Sequence, residues 1–439
     1  MRPMKSLFGK KSSLRSLTRP LRKRLRLWTS LRLAAAKRST ITAKIVCITG
    51  SSGKSTTTLL LSKFLMSRYA TREQLYRNTL PSCIETMQQA SRKDEFIVVE
   101  TAASFVGSVA QMAGLLKPDV AVVTMVAVEH RSVFKSLENV AKEKGALVEA
   151  IAEGGFAVLN ADDEQVMKMA ERTKQRIVTF GYKEDADYRV VELSLSASGT
   201  LDLAIRSAHG THRLATQLLG VQFWPSVAAA FAVAVESGID PETIAELVPD
   251  IRTGRNRCEP YPVRDGPTFI VDTVKAPIHT MEAAFETIRA LEAPRKRIVL
   301  GMIADHPGNS NSAYRKAYRW AAANADQVIF VGEHAHRHKA SEEDIAAGRI
   351  VEKDTVEDVY AFLRDTAIPG EIILLKSAAG AHLERLALAF RHDVKCWKER
   401  CGRSLTCQVC ALYEYPFEQH EEIGDPKRLA ARGRGGDNR

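Results

Sequence analysis

Long apolar runs are missing from this chain. No stretch reaches the ~20 residues that a helix needs to cross a bilayer, which excludes a helical channel or transporter. A secretory leader is not expected either, because the N-terminus never offers an apolar core followed by a small-residue cleavage site. A reducing cytoplasm is the expected compartment, and there the seven cysteines are not expected to form a disulfide framework. Acidic residues are absent from positions 1–44, which carry fourteen Lys and Arg. Setting that arm aside turns the formal charge of +11 into −3, so the basicity says little about the body. What is present is apolar material, 45% of 439 residues, enough for the cores of two domains or more.

In the arm, expected over 1–40, Leu14, Leu17, Leu21, Leu25 and Trp28 recur at three- and four-residue steps, one face of a helix. The other face is Arg and Lys. Such a helix suits packing by its Leu stripe on the body; contact with an anionic membrane or a nucleic acid is the alternative. From Ile41, strand-like runs at Lys44–Thr49, Phe96–Glu100, Asp119–Val126 and Phe156–Asn160 alternate with helical stretches, which predicts a mostly parallel sheet with helices on its faces. Tyr188–Leu218 reads as a small antiparallel patch, and helical periodicity returns over Ser226–Ser237. Asp240-Pro241 has the look of a cap and first-turn proline. A second β-α series, with strands at Thr268–Val271, Arg297–Gly301, Gln327–Val331 and Glu371–Leu375, predicts a separate Rossmann-like domain. The expected division is a central domain over 41–252, a second over 253–390, a Cys-rich element over 391–424 and a polar tail over 425–439.

Thr49-Gly50-Ser51-Ser52-Gly53-Lys54-Ser55-Thr56 follows an apolar strand and opens a helix expected to run to about Tyr69. Glycines let backbone N–H groups turn onto phosphate oxygens, and a helix N-terminus adds positive potential. Lys54 is placed to bridge terminal phosphates and the Ser55 hydroxyl to ligate Mg²⁺. The first domain is therefore expected to be a P-loop, parallel-sheet ATPase domain in an α/β protein. The general nucleotide-binding pattern asks for glycine five residues before Gly53, where this chain has Ile48. The compact T-G-S-S-G-K-S form resembles the Mur ligase family.

The resemblance extends along most of the chain, from about Ile41 to Phe390. Val98-Val99-Glu100 puts a carboxylate at a strand's C-terminal end, where the family has a metal-holding glutamate, and His130 falls where it has a metal-ligating histidine. Lys144 lies on the apolar stripe of Leu137, Val140, Ala141, Val148 and Ile151, in a helix expected over Ser136–Ala152, while Lys142 points away. An unpaired lysine on such a face is expensive. Ala141-Lys142-Glu143-Lys144-Gly145 is similar to the family's A-K-x-K-G, whose second lysine takes up CO₂ and becomes a metal-binding carbamate. A desolvated lysine has the lowered pKa that this reaction needs; the alternative is a lysine that snorkels or pairs with an acid. Gly154–Asp163 is similar to a scaffold segment near the nucleotide. Gly254-Arg255 resembles the family's G-R, whose arginine approaches the phosphates, and Asp272 resembles a nucleotide-contacting aspartate.

Other family positions differ. Val274, Lys275 and Pro277 stand where the resemblance asks for Tyr, Asn and Asn, and Leu219–Ser226 lacks a His and two Asn that seat the nucleotide. Lys376 is kept from a K-G-S-R motif whose arginine is gone. The phosphate and metal chemistry is thus expected to be intact, with rebuilt adenine and acceptor surfaces. The resemblance implies ATP and Mg²⁺ as cofactors and small-molecule or peptide-like carboxylate and amine substrates, joined through an acyl phosphate. Only about forty residues precede the loop, where peptidoglycan ligases carry a domain for the UDP-sugar, so a peptidoglycan precursor is not the expected substrate. A nucleotide-gated scaffold that has lost ligation, and a simple kinase or ATPase, are the competing readings. Lastly, Cys396, Cys401, Cys407 and Cys410 fall within fifteen residues and include one C-x₂-C knuckle. Structural Zn²⁺, unpaired thiols and a redox pair all suit that spacing.

Overall fold

The computed structural model describes residues 26–306, 308–403 and 406–424. Leu14, Leu17, Leu21 and Leu25 of the basic arm lie outside them, so the arm's membrane or nucleic-acid contact is also outside them. Residues 26–38 are helical and pack on the body through Ala34, Leu31 and Arg38, whose Nε donates to the Leu116 carbonyl at 2.7 Å. Trp28 is 54% exposed.

Strand β1 (Lys44–Thr49) is apolar nearly throughout because it is covered on both faces. It lies between β3 (Phe96–Glu100) and β4 (Val120–Val123), with β2 (Thr71–Gln74) beyond β3 and β5 (Phe156–Asn160) and β6 (Arg176–Gly181) beyond β4, all parallel. Strand β7 (Tyr188–Leu195) joins β6 in parallel, and β8 (Thr200–Ser207) and β9 (Gly210–Leu219) extend the nine-stranded sheet antiparallel. Side chains alternate across it. Val46, Ile48 and Val98 pack on helices α1 (Lys54–Met66) and α3 (Trp224–Glu236), while Ile45, Cys47 and Val99 meet α2 (Leu137–Glu149) and its neighbours.

The second sheet runs β10 (Glu259–Pro262), β11 (Thr268–Asp272), β15 (Ile372–Lys376), β12 (Lys296–Leu300), β13 (Gln327–Val331), β14 (Ile350–Lys353), parallel except for the edge strand β10. One apolar cluster runs from Leu60 and Phe231 in the first domain to Phe285, Leu300 and Phe330 in the second. The α/β, two-domain architecture is as the sequence predicts.

The main departures are local. Strand β4 ends at Val123, short of the expected Val126, because the following residues turn to hold the phosphate loop: the Ser51 N–H donates to Met125 O at 2.9 Å, and Thr124 Oγ1 to Ser52 O at 2.6 Å. Strands β2, β6, β10 and β14 were not predicted. Among the described residues, no helix is long and apolar enough to cross a membrane.

Candidate active site

At the end of β1 the chain turns through Gly50–Gly53 into α1, at the C-terminal edge of the parallel strands where the strand order reverses. In open α/β sheets, that crevice is where ligands bind. Gly53 caps α1 at φ +82°, and a Cβ there would lie 2.8 Å from Ser226 Oγ; at Gly50 it would lie 1.9 Å from Thr124 Oγ1. Neither position has room for a side chain, and the close-packed backbone leaves the α1 N-terminus facing the crevice. Lys54 folds back to donate to the Gly50 carbonyl. Burial, and then the neighbouring Lys275, push its pKa well below the usual lysine range.

Two buried carboxylates face this loop. Glu100, wholly buried at the end of β3, accepts from Ser55 Oγ at 3.0 Å and from the Tyr76 N–H at 2.9 Å. Glu129 accepts from Lys144 Nζ and, at 3.3 Å, from Ser51 Oγ, and its second oxygen lies 3.8 Å from Lys275 Nζ. Burial by itself would raise the Glu129 pKa, but Lys144, Lys54 and Lys275 outweigh it and hold the carboxyl down at about 2. For Lys144, burial lowers the pKa and Glu129 offsets part of the drop.

The second domain closes the crevice. Arg257 Nη2 donates to Ser55 Oγ at 2.9 Å, with its guanidinium 5.8 Å from the Tyr76 ring centroid. Asp272 and Lys376 pair at 2.6 Å, and they line a cavity of about 270 Å³ together with Ser51–Thr56, Trp224, Arg257 and Lys275. A larger cavity, about 500 Å³, opens past β12 and β13 among Met302, Tyr314, Glu333, His334 and Arg400. The first cavity fits a polyphosphate with its cation. Its floor excludes any Cβ, four basic side chains border it, and Ser55 and Glu100 offer the hard oxygen donors that suit Mg²⁺.

Comparison with known proteins bears on which family builds such a crevice. The Mur ligase middle domain matches residues 48–234, and the Mur ligase glutamate ligase domain matches residues 256–379. The chain belongs to the Mur ligase family. The UDP-N-acetylmuramoyl-tripeptide–D-alanyl-D-alanine ligase of Mycobacterium tuberculosis is 27% identical over 380 residues, 81% of this chain and 74% of that one. Among solved structures, MurF from Acinetobacter baumannii superposes with a TM-score of 0.74 at 20% identity, covering 83% and 80% of the two chains. MurF ligase from Thermotoga maritima, solved with ADP, gives 0.72 at 20% identity, covering 89% and 86%. Membership carries the reaction class: an ATP-dependent ligase that forms an amide bond. The expectation that a peptidoglycan precursor is not the substrate gains no support from relatives with such names.

Several residues of this Mur ligase sit where the sequence places them, and several do not. The loop residues Thr49 to Thr56, Glu100, Lys144 and Asp272 converge. Lys144, expected without a local partner, has one in Glu129, a residue missed because nothing in its sequence neighbourhood marks it. His130, expected to ligate metal, is exposed; its backbone N–H donates to Asp305 at 2.9 Å, and the carboxylate before it is what turns inward. Arg255, expected at the phosphates, is exposed, and Arg257 takes that place because the tight turn at Asn256 (φ +56°) reverses the side-chain direction. Of the rebuilt positions, Lys275 joins the lysine cluster, and Trp224 lines the cavity with its ring centroid 4.7 Å from that of Tyr182. The four clustered cysteines do not line the loop cavity. They line a small void together with His382 and His420.

Proposed function

We propose that this Mur ligase uses ATP to activate the carboxylate of a peptide-like substrate as an acyl phosphate and passes the acyl group to an amine. The observation that carries the reading is the convergence of the loop, the Ser55–Glu100 pair and, behind Ser51, the buried Lys144–Glu129 pair at one crevice between two domains. Mg²⁺ would be held by Ser55, Glu100 and Lys144 as a carbamate, and would supply charge neutralisation at the transferring phosphoryl group. Lys54, released from Gly50, neutralises terminal phosphate oxygens, and Arg257 and Lys376 add positive charge from the second domain. Closure of that domain excludes water from the acyl phosphate.

Lys144 is suited to react with CO₂. Its amine is desolvated, so the neutral form that attacks carbon is favoured. The neutral amine forms the N–C bond with release of one proton, so that, counted from the ammonium, two protons leave and a cation becomes an anion. That anion gives up the pairing with Glu129 and is balanced by Lys54, Lys275 and the cation held at the Ser55 hydroxyl. The cavity beyond β12 and β13 is the candidate seat of the amine substrate.

The relatives' names make UDP-N-acetylmuramoyl-tripeptide with D-alanyl-D-alanine the first substrate pair to supply, followed by a panel of other carboxylates and amines. With ¹⁸O in the substrate carboxylate, acyl-phosphate chemistry delivers one labelled oxygen to the released phosphate. ATP binding without amide formation on any pair, or amide formation with unlabelled phosphate, would overturn the proposal. The first of these outcomes would favour a nucleotide-gated scaffold.

A further inference from the structure

Away from the crevice, the cysteine-rich element (391–424) folds against the second sheet around a void of about 10 Å³, room for a single water-sized occupant. Cys396, Cys407 and Cys410 are buried in its wall, the last two at either end of a single helical turn. His420, 3% exposed, lines it too. The His420 Nε2 meets the Tyr415 carbonyl at 3.0 Å and must therefore carry the proton. That leaves Nδ1 as a buried lone pair with no partner. An unpartnered imidazole nitrogen, its tautomer set by a carbonyl on the far side, is how a metal-ligating histidine is held.

A second observation concerns charge. Arg385 is buried, and its donors go to Cys407 Sγ at 3.1 Å and the Lys398 carbonyl at 2.8 Å. A buried guanidinium directed at sulfur calls for an anion there, and thiolates on a metal supply one.

We propose that the void is a structural Zn²⁺ site, ligated by the thiolates of Cys396, Cys407 and Cys410 and by His420 Nδ1. Three thiolates and one imidazole complete a tetrahedral, closed site of the structural kind. Cys401, which the sequence spacing groups with the other three, is left out: it is only half-buried and lies 3.3 Å from His382 Nε2. Among the described residues, the ligand atoms that already stand within 4.8 Å of one another are those of His382, Glu384 and Cys407, so the four proposed ligands draw together only as the ion binds. Glu384, however, is engaged by the Cys407 N–H at 3.0 Å and by Thr273 Oγ1 at 3.3 Å, and it acts as a strut between the knuckle and the segment after Asp272. A second strut is Gln408, inside the knuckle, which donates to Asn256 Oδ1 at 2.9 Å, next to Arg257. The metal would thus brace two segments that carry nucleotide-facing residues.

The test is metal analysis of the full chain, expressed with zinc and purified under reducing conditions. About one tightly held zinc per chain is expected. Cys410→Ser and His420→Gln should lose at least tenfold in resistance to a chelator, whereas Cys401→Ser and Lys54→Ala should keep the metal. Should the ligand variants fail to fold, cobalt exchanged into the unaltered protein still reports on the ligands. A tetrahedral ligand-field spectrum with sulfur-to-cobalt charge transfer supports the site. Reduced protein without stoichiometric zinc, or zinc kept by His420→Gln and lost by Cys401→Ser, overturns it.

Discussion

Glu129 is surrounded by Lys144, Lys54 and Lys275 and keeps its charge down to about pH 2, against an ordinary 4.5. A depressed folded-state pKa gives stability that is fully present above the unfolded value and is lost as pH falls through the folded one. In protein depleted of CO₂, where Lys144 is the ammonium, Glu129→Gln should therefore be less stable than the parent near neutrality, because it leaves Lys144 buried without its counter-charge, by about 3–5 kcal/mol. The gap between the two proteins should shrink as pH falls from about 4.5 toward 2, which denaturant melts across that range will show. A constant gap would mean that the pair is not what holds the carboxyl down. Lys144 and Lys142 make a sharper contrast, one wholly buried and the other exposed, two residues apart on α2. Lys144→Ala should lose most ligase turnover while still binding nucleotide, with part of the loss restored by a short carboxylic acid in solution; Lys142→Ala should be nearly silent. Equal behaviour of the two would remove the carbamate. Arg257→Ala should raise KM for ATP about tenfold or more, the cost of one charge-assisted contact, and Arg255→Ala should leave it unchanged.

At the scale of elements, the phosphate loop is the most constrained piece of backbone in the site. Gly53→Ala must place a methyl 2.8 Å from Ser226 Oγ at a φ of +82°, so ATP turnover should collapse while far-UV circular dichroism stays native. Normal turnover would show that the loop can re-form around a side chain. The elements with strong local signals were legible in advance. Strand β1 is a continuous apolar run, α2 has a serine cap whose Oγ accepts from the Asn139 N–H at 3.3 Å, and Gly, Lys and Ser at fixed spacing marked the loop. Strands β2 (Thr-Arg-Glu-Gln) and β10 (Glu-Pro-Tyr-Pro) were hidden because edge strands bury little and have no apolar signature. Glu129 and Arg257 escaped for another reason. Both are polar residues in irregular segments, and their importance comes from partners 15 and 202 positions away. Sequence periodicity carries no information about such pairs.

For the whole molecule, the crevice is walled by both domains, and one apolar cluster joins them, so nucleotide should stabilise the chain as a unit. A non-hydrolysable ATP analogue with Mg²⁺, at a hundredfold excess over its Kd, should add about 2.7 kcal/mol to a single unfolding transition. Calorimetry showing two transitions, only one of them shifted, would mean that the domains unfold independently. Lys54→Ala should lose the shift.

Strand β10 has its own bearing on how copies of this chain meet. Its outer edge is, with β14 at the opposite end, one of the two edges at which the second sheet could admit a strand from another molecule. Pro260 and Pro262 sit there at alternate, exposed positions, opposite Ile270 and Thr268 of β11. Proline has no N–H, so the outward rim of that strand lacks donors at two successive outward positions. An incoming strand would find carbonyls but no ladder to complete. That edge is thus protected against sheet-to-sheet aggregation during synthesis and crowding.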